Sequence, residues 1–381
     1  MTAQIHGTVA RGFEKVRDAF IDNFTGTHDC LEMGATFSAY RHGEPVAHLW
    51  GGHADGAQTR PWTQHTVVNM FSSTKGVAAC CVAILAGRGL VDFNAPVAKY
   101  WPEFAAAGKG GITVAQALSH QGGLSGLRAP TTIADVCNWN KMVERIAAAE
   151  PLWEPGTAAG YHAITWGFLA GEIVRRITGK SVGTFLREEV AGPIGADVFI
   201  GLKKNAANPI AEMLKAKGEQ TQTFSEPTEI LKLTLGNPLI EAEVANDPVW
   251  QEAEVPAANG QGNAEGLARL YAAFATDGSF EGRRLLTKSA IAAATREVFF
   301  GVDINMGKEL GWAASGFFVR NAWGWFGPNA EAFGHSGWGG SLGFADPRAG
   351  LSVGYVPNQM DMNLQGDPRS LRLNAALYAC L

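Results

Sequence analysis

Long apolar runs are missing from this 381-residue sequence. The longest, GVAACCVAILAGRGL from Gly76 to Leu90, is too short for a bilayer and carries Arg88 near its end. The opening MTAQIHGTVARGFEKVRDAFIDNF has no apolar stretch behind a basic end, so it does not read as a signal peptide. A cytoplasmic protein with no membrane partner is therefore expected. An excess of basic charge is missing too: Lys and Arg number 31 against 36 Asp and Glu, a formal charge of -5. That balance excludes the basic face a nucleic-acid binder needs. Cysteines are few and odd in number (Cys30, Cys80, Cys81, Cys137, Cys380), without metal-type spacing, and read as reduced, mostly buried thiols. Neither HExxH, paired CxxC, a Walker loop nor a dinucleotide fingerprint occurs, so no metal and no cofactor is expected.

What is present is apolar content sufficient for a sizeable core, 46% hydrophobic residues against 18% charged. Apolar residues at helical spacing predict a helix over about Val9–Asn23. ATFSAYRHGEPVAHLWGG predicts two strands joined at His42-Gly43. A helix should follow Ser72 and stop near Gly87-Arg88-Gly89. From about Asp92 to Pro193 the pattern is mainly helical, with a division at Gly179 and Ser181 as the next cap. Residues 202–256 are irregular and rich in charge and proline, suited to an insertion that shapes a cleft. Asn263–Gly278 predicts a further helix, strands follow from about Glu309, and a helix over about Pro368–Ala379 closes the chain. The expected fold class is α+β: an antiparallel sheet flanked by helices, built from residues 1–91 and 256–381, beside a mainly helical lobe of residues 92–255, with the site in the cleft between them.

Within MFSSTKGVAA, Ser72 precedes Lys75 by three positions, which places both on one face of a helix start. Two readings fit: a serine helix cap followed by a solvated lysine, or a nucleophile with its base one turn away. The second is chemically sound. The helix N-terminus favours negative charge at the serine oxygen, and an apolar pocket lowers a lysine's pKa toward a proton-accepting amine. Gly339-Gly340-Ser341-Leu342-Gly343 matches the G-x-S-x-G elbow, but a strand-like segment with Pro347 and Gly350 follows where that elbow needs a helix. Ser341 therefore reads as a strand residue. Tyr161, between a Pro-Gly turn and a helix, is a candidate proton shuttle whose phenol pKa a neighbouring ammonium would lower, or else a packing residue. His335 opens HSGWGGS and is either an imidazole that titrates near neutral pH or, as a lone histidine in a glycine-rich strand, a structural residue. Gly337, Gly339 and Gly340 let backbone approach a ligand closely. His120, without a carboxylate partner, reads as a loop or supporting residue. No spacing makes Asp29, Asp55 or Asp346 a triad acid.

Taken together, Ser72-x-x-Lys75, Tyr161 in WEPGTAAGY and His335-Ser336-Gly337 resemble the serine β-lactamase and penicillin-binding-protein superfamily. The nearest likeness is the class C β-lactamase-like branch with the family VIII carboxylesterases. The framework phrases VVNMFSSTKGVAA, ITVAQALSHQGGLSGL, YHAITWGFLAGEIVRRITGKSV and FGHSGWGGSLGFADP carry the resemblance from about Gly51 to Pro347. It implies Ser72 as acylated nucleophile, Lys75 and Tyr161 as proton-transfer pair, and the N–H groups of Ser72 and Trp338 as oxyanion hole. It also implies substrate binding along His335, Ser336, Gly337, Trp338 and Gly339, although a second register puts Trp338-Gly339-Gly340 in the place of His335-Ser336-Gly337.

Two departures bear on substrate. Tyr161-His162-Ala163 lacks the asparagine of Tyr-x-Asn, and His335 replaces the lysine of Lys-Thr-Gly. Losing an amide and a permanent cation favours a neutral ester over an anionic β-lactam or peptide. The expectation is a serine carboxylesterase for small acyl esters, with weak β-lactamase activity at most. The alternatives are a β-lactamase, a D-amino-acid peptidase or amidase, an acyltransferase, and a non-catalytic binding protein of this fold. Trp153, Trp166, Trp323, Trp325 and Trp338 are candidates for an apolar acyl pocket.

Overall fold

The turn foreseen at His42-Gly43 forms with both residues at positive φ (51° and 85°), which matches the twist of the strands it joins. It links β2 (Gly34–Arg41) to β3 (Glu44–Gly52). The computed structural model describes residues 4–203, 206–217 and 227–381. Ahead of β2 the expected helix begins later than its apolar spacing suggested. Ile5–Val9 is an edge strand, β1, paired antiparallel with β3, and the helix α1 runs Glu14–Thr25. Val9 thus belongs to a short strand, which the helical spacing of Val9, Phe13, Val16 and Phe20 concealed.

Among the elements that follow, three helices frame the site: α2 (Ser73–Gly87), α3 (Thr165–Thr178) and α4 (Ala264–Ala275). Then come β4 (Glu297–Asp303), β5 (Lys308–Ala313), β6 (Phe318–Val319), β7 (Phe333–Ser336), β8 (Leu342–Asp346), β9 (Leu351–Pro357) and α5 (Pro368–Tyr378). β4 precedes the point near Glu309 where strands were expected. Its outward Phe300 and Val302 leave it an apolar edge without clean alternation. The nine strands form one antiparallel sheet in the order β1-β3-β2-β9-β8-β7-β6-β5-β4. All come from residues 5–52 and 297–357, so β2 pairs with β9 across some three hundred residues of chain.

One face of the sheet packs on α1 and α5 through Phe20, Phe37, Leu49, Val353 and Leu373. The other carries α4 and α2. Residues 73–85 of α2 are all buried, a helix apolar on every side that must have neighbours on every side. It lies between the sheet and α3 of the helical region. Ser181 caps its helix by accepting from Thr184 N, as expected, and Asn263 caps α4 by accepting from Gly266 N. All five cysteines are free, but only Cys80 and Cys81 are buried; Cys30, Cys137 and Cys380 are half-exposed. Of the irregular stretch at 202–256, residues 204–205 and 218–226 lie outside the described residues. Its helix Glu229–Leu235 reaches the site region, where Thr234 Oγ1 accepts from Asn305 Nδ2 (3.3 Å). Among the described residues no helix is long and apolar enough to cross a membrane.

Candidate active site

Ser72 sits at the N-cap position directly before α2, already with helical backbone angles (φ -68°, ψ -12°), and its hydroxyl makes no capping bond. The cap reading of this serine therefore fails in its chemical sense. A β-region N-cap would turn the hydroxyl back onto the helix, whereas helical angles leave it free to face Lys75. Phe71, the residue before it, is held at φ 40°. Such a conformation in a bulky non-glycine residue is strain that surrounding contacts must hold, and it lies directly before Ser72.

Lys75 is fully buried. Its Nζ lies 2.8 Å from the carbonyl oxygen of Ala163, 3.0 Å from that of Ala257 and 3.3 Å from Ser72 Oγ. Among the described residues no carboxylate accompanies these contacts, and burial holds its pKa well below 10.5. The solvated-lysine reading is excluded.

The Tyr161 ring centroid is 4.6 Å from Lys75 Nζ. Burial pushes its phenol up, outweighing the downward pull of its Ser72 hydrogen-bond partner. This reverses the expected fall: a lysine driven toward neutrality supplies no ammonium to stabilise a phenolate. The Tyr161 backbone is fixed from below. Its N–H donates to Asp303 Oδ1 (2.9 Å), and its carbonyl accepts from Asn305 Nδ2 (3.1 Å). Asp303 is buried, and burial raises its carboxyl to about 6 against the pull of the backbone N–H groups of Tyr161, Met306 and Asn305. Asp303 and Asn305 escaped the sequence reading. The turn DINMG was legible as a local carboxylate-capped turn, but its span of 142 residues to Tyr161 was not.

The HSGWGG segment comes up against the start of α2. A Cβ built on Gly337 would lie 2.2 Å from the Met70 carbonyl oxygen and 3.1 Å from Ser73 N, so only glycine allows this approach. The half-exposed Trp338 ring packs on Phe71 at 5.1 Å between centroids. Among the described residues neither Ser72 N–H nor Trp338 N–H has a hydrogen-bond partner in the protein. Ser341 lies just before β8, where its Oγ donates to Met70 O (2.7 Å) and pairs with Ser73 Oγ (2.9 Å). No base adjoins it. Asp55 is taken up by Thr59 and Arg60, and Asp346 by Asn329 and Tyr378.

Three buried imidazoles surround Tyr161 and Lys75. His120 Nδ1 accepts from His162 N (2.9 Å), and His162 Nε2 accepts from Leu124 N (3.0 Å) while Nδ1 donates to Gly160 O (2.6 Å). Protonating either ring would aim a new N–H at an existing one. His335 Nδ1 donates to Ser336 O (2.7 Å), and its ring packs 4.7 Å from Phe318. Burial, with Lys75 adding to it, pulls His335 to about 3, so it does not titrate near neutral pH as an exposed imidazole would. Burial likewise takes His162 to about 3 and His120 well below its usual value. Ser336 Oγ is buried and unpartnered among the described residues.

Trp166 is a core residue, fully buried with its indole N–H on Leu118 O (2.7 Å), so it cannot line an acyl pocket. Trp325 is buried against Phe318, whereas Trp323, half exposed, stacks on it at 6.2 Å. Trp153 meets Ile304 around Gly160, one residue from Tyr161.

These histidines fix a stability profile. Unfolded imidazoles protonate below about pH 6.5. The folded forms of His162 and His335 do so only near 3, so the unfolded state binds more protons in between. Stability is therefore complete above 6.5 and lost as pH falls toward 3, at about 1.4 kcal/mol per pH unit for each such histidine. The raised carboxyls of Asp303 and Glu32 act in the opposite direction over this range, so the check is urea unfolding of the wild type against His335→Gln between pH 7 and 4; an equal pH slope in the two would contradict it.

Residues 19–377 match the family described as Beta-lactamase. The chain is 33% identical over 374 residues to the esterase/beta-lactamase LipL of Mycobacterium tuberculosis, covering 94% of this chain and 83% of that one. Among solved structures it is similar to a family VIII carboxylesterase (48% identity, TM-score 0.93, 99% of this chain and 100% of that chain). It is also similar to a penicillin-binding protein homolog from Caulobacter crescentus (42% identity, TM-score 0.93, 99% and 100%). By its matched span, its fold and its full-length likenesses, the chain belongs to the β-lactamase family.

Proposed function

We propose that the protein is a serine carboxylesterase that hydrolyses small acyl esters through an acyl-enzyme on Ser72. The observation that carries this reading is the placement of Ser72 Oγ 3.3 Å from a buried lysine that has no carboxylate partner. As a neutral amine, Lys75 has two N–H bonds, which the carbonyls of Ala163 and Ala257 take up. Its lone pair is then left for the Ser72 hydroxyl proton. Ser72 Oγ attacks the ester carbonyl carbon while Lys75 Nζ takes that proton. The carbonyl oxygen becomes an anion between the N–H groups of Ser72 and Trp338. Collapse breaks the bond to the alkoxide, which receives its proton through the Tyr161 phenol as Lys75 replenishes it. Water then repeats the sequence on the acyl-enzyme and restores Ser72. The high phenol pKa suits Tyr161 to a neutral relay.

His335, Ser336, Gly337, Trp338 and Gly339 form the proposed substrate-binding edge. His335 there is buried and neutral, and position 163 offers no side-chain amide. This edge supplies neither the cation nor the amide that would hold an anionic substrate. The esterase and carboxylesterase names among similar proteins support the same reading. The test compares turnover of p-nitrophenyl acetate and of a chromogenic cephalosporin, with mass analysis of the quenched enzyme. Faster ester turnover and an acyl adduct on the peptide bearing Ser72 are expected. Efficient cephalosporin turnover with negligible ester turnover would establish the lactamase alternative instead.

A further inference from the structure

The far side of the Trp338 turn rests on a buried ion cluster. Gly340 N donates to Gly337 O (3.0 Å) and Gly337 N to Ser341 O (2.8 Å), closing a β-turn with Gly339 at φ 89°. The Gly339 carbonyl accepts from Arg369 Nη2 (3.1 Å) and Asp361 N (3.2 Å). Arg369 is 1% exposed. Its guanidinium is held by Asp367 (Nη2–Oδ2 2.6 Å, Nε–Oδ1 3.1 Å) and by Glu32 (Nη1–Oε2 3.0 Å), and Nη1 also donates to Gln359 O (2.8 Å). Tyr355 in turn donates its hydroxyl to Glu32. A Cβ on Gly340 would lie 2.1 Å from Asp367 Oδ2 and 2.9 Å from Arg369 Nη2, so the turn lies directly on the cluster.

Burying three charged side chains is costly, and apolar replacements of such clusters are often no less stable. Fold stability is therefore a poor account of this one. The guanidinium's two carbonyl partners give a better one. Gln359 begins the Gln359–Asp361 segment, and Gly339 belongs to the turn, so Arg369 ties the turn to that segment. The turn's near side is set by Gly337 against Met70 and Ser73. Its peptide planes are thus held from both sides, and the Trp338 N–H is left unpartnered among the described residues.

We propose that Arg369, clamped by Glu32 and Asp367, is a positioning residue that holds the Gly337–Gly340 turn so that the Trp338 N–H faces the developing oxyanion. The inference rests on the Ser72 reading above. It predicts a defect specific to the carbonyl oxygen. Arg369→Met should lower kcat on p-nitrophenyl acetate by about 10- to 100-fold, just under the loss from removing an oxyanion donor outright, with KM within about twofold. Because sulfur is a poor acceptor, the wild-type preference for the oxygen ester over its thionoester partly measures that hole. In Arg369→Met this preference should shrink by a similar factor, and Arg369→Lys should recover part of it.

A purely structural role would slow both esters equally, so an unchanged preference overturns the inference. Should Arg369→Met fail to fold, Asp367→Asn, which unclamps the guanidinium, is read by the same ratio with the same two outcomes. Ser72→Ala separates the two readings. If it retains turnover, the site assignment falls. If it is inactive while Arg369→Met keeps the wild-type preference, only the role of Arg369 falls.

Discussion

Ser72→Ala is expected to reduce ester turnover by at least about 10⁴-fold, since removing the nucleophile of a serine hydrolase leaves only binding and oxyanion stabilisation. The same variant should stay folded, losing only the bonds of the Ser72 hydroxyl to Tyr161 and Lys75. The Ser72 hydroxyl makes no helix cap, so the usual penalty of about 1 kcal/mol for losing a capping serine does not apply. Phe71 keeps its strained backbone in either case, because Met70 N on Gly260 O, Ser73 N on Met70 O and the Trp338 ring hold it. A large loss of rate with little loss of melting temperature separates a reacting group from a packing group. Ser341→Ala supplies the contrast. Its hydroxyl joins β8 to the α2 start through Met70 O and Ser73 Oγ, so its loss should lower stability while an acyl adduct still forms on Ser72. Ester turnover that survived in Ser72→Ala and vanished in Ser341→Ala would reverse the assignment.

The contrast between these two serines also marks what the sequence could convey. Ser72 and Lys75 are three residues apart, and helix geometry alone puts them on one face. The failure of the G-x-S-x-G context was equally local, because Pro347 and Gly350 follow at once. The β2–β3 hairpin and the helix stops were readable for the same reason. Long-range partners were not. The carbonyls of Ala163 and Ala257 that orient Lys75 belong to residues with no polar side chain, and a backbone acceptor leaves no mark in composition. The clamp of Arg369 on Gly339 joins a terminal helix to a glycine turn. Direction of pKa shift was also hidden, because it depends on burial. Tyr161 looked like a phenol lowered by an ammonium; enclosed by His120, Trp312 and a lysine itself driven neutral, it is raised instead. The early strand Ile5–Val9 was missed because five residues at a sheet edge carry too short an alternation to compete with an adjoining helical pattern.

Lys75→Met is expected to lower kcat/KM by about 10³-fold, within the span assigned to a positioned general base. Methionine keeps the apolar volume along α2, where residues 73–85 are all buried, so the fold should tolerate the change better than it would a cavity. The carbonyls of Ala163 and Ala257 lose a donor, and some cost in stability follows from that. The pH profile is the decisive readout. In the wild type the ammonium must shed its proton before it can accept one from Ser72, so the rate should rise with pH and level off above the folded pKa of Lys75. Burial places the Lys75 midpoint well below 10.5. In Lys75→Met this limb should disappear, and the residual rate should climb with hydroxide concentration instead. Tyr161→Phe should behave differently. It keeps Lys75 buried and hence the limb, but it removes the phenol that returns a proton to the leaving alkoxide. Its loss should therefore be larger for esters of poorly leaving alcohols than for p-nitrophenyl esters, whose phenolate departs without protonation. A limb that persists in Lys75→Met would move the base to another group. Equal losses for good and poor leaving groups in Tyr161→Phe would remove the phenol from the proton path.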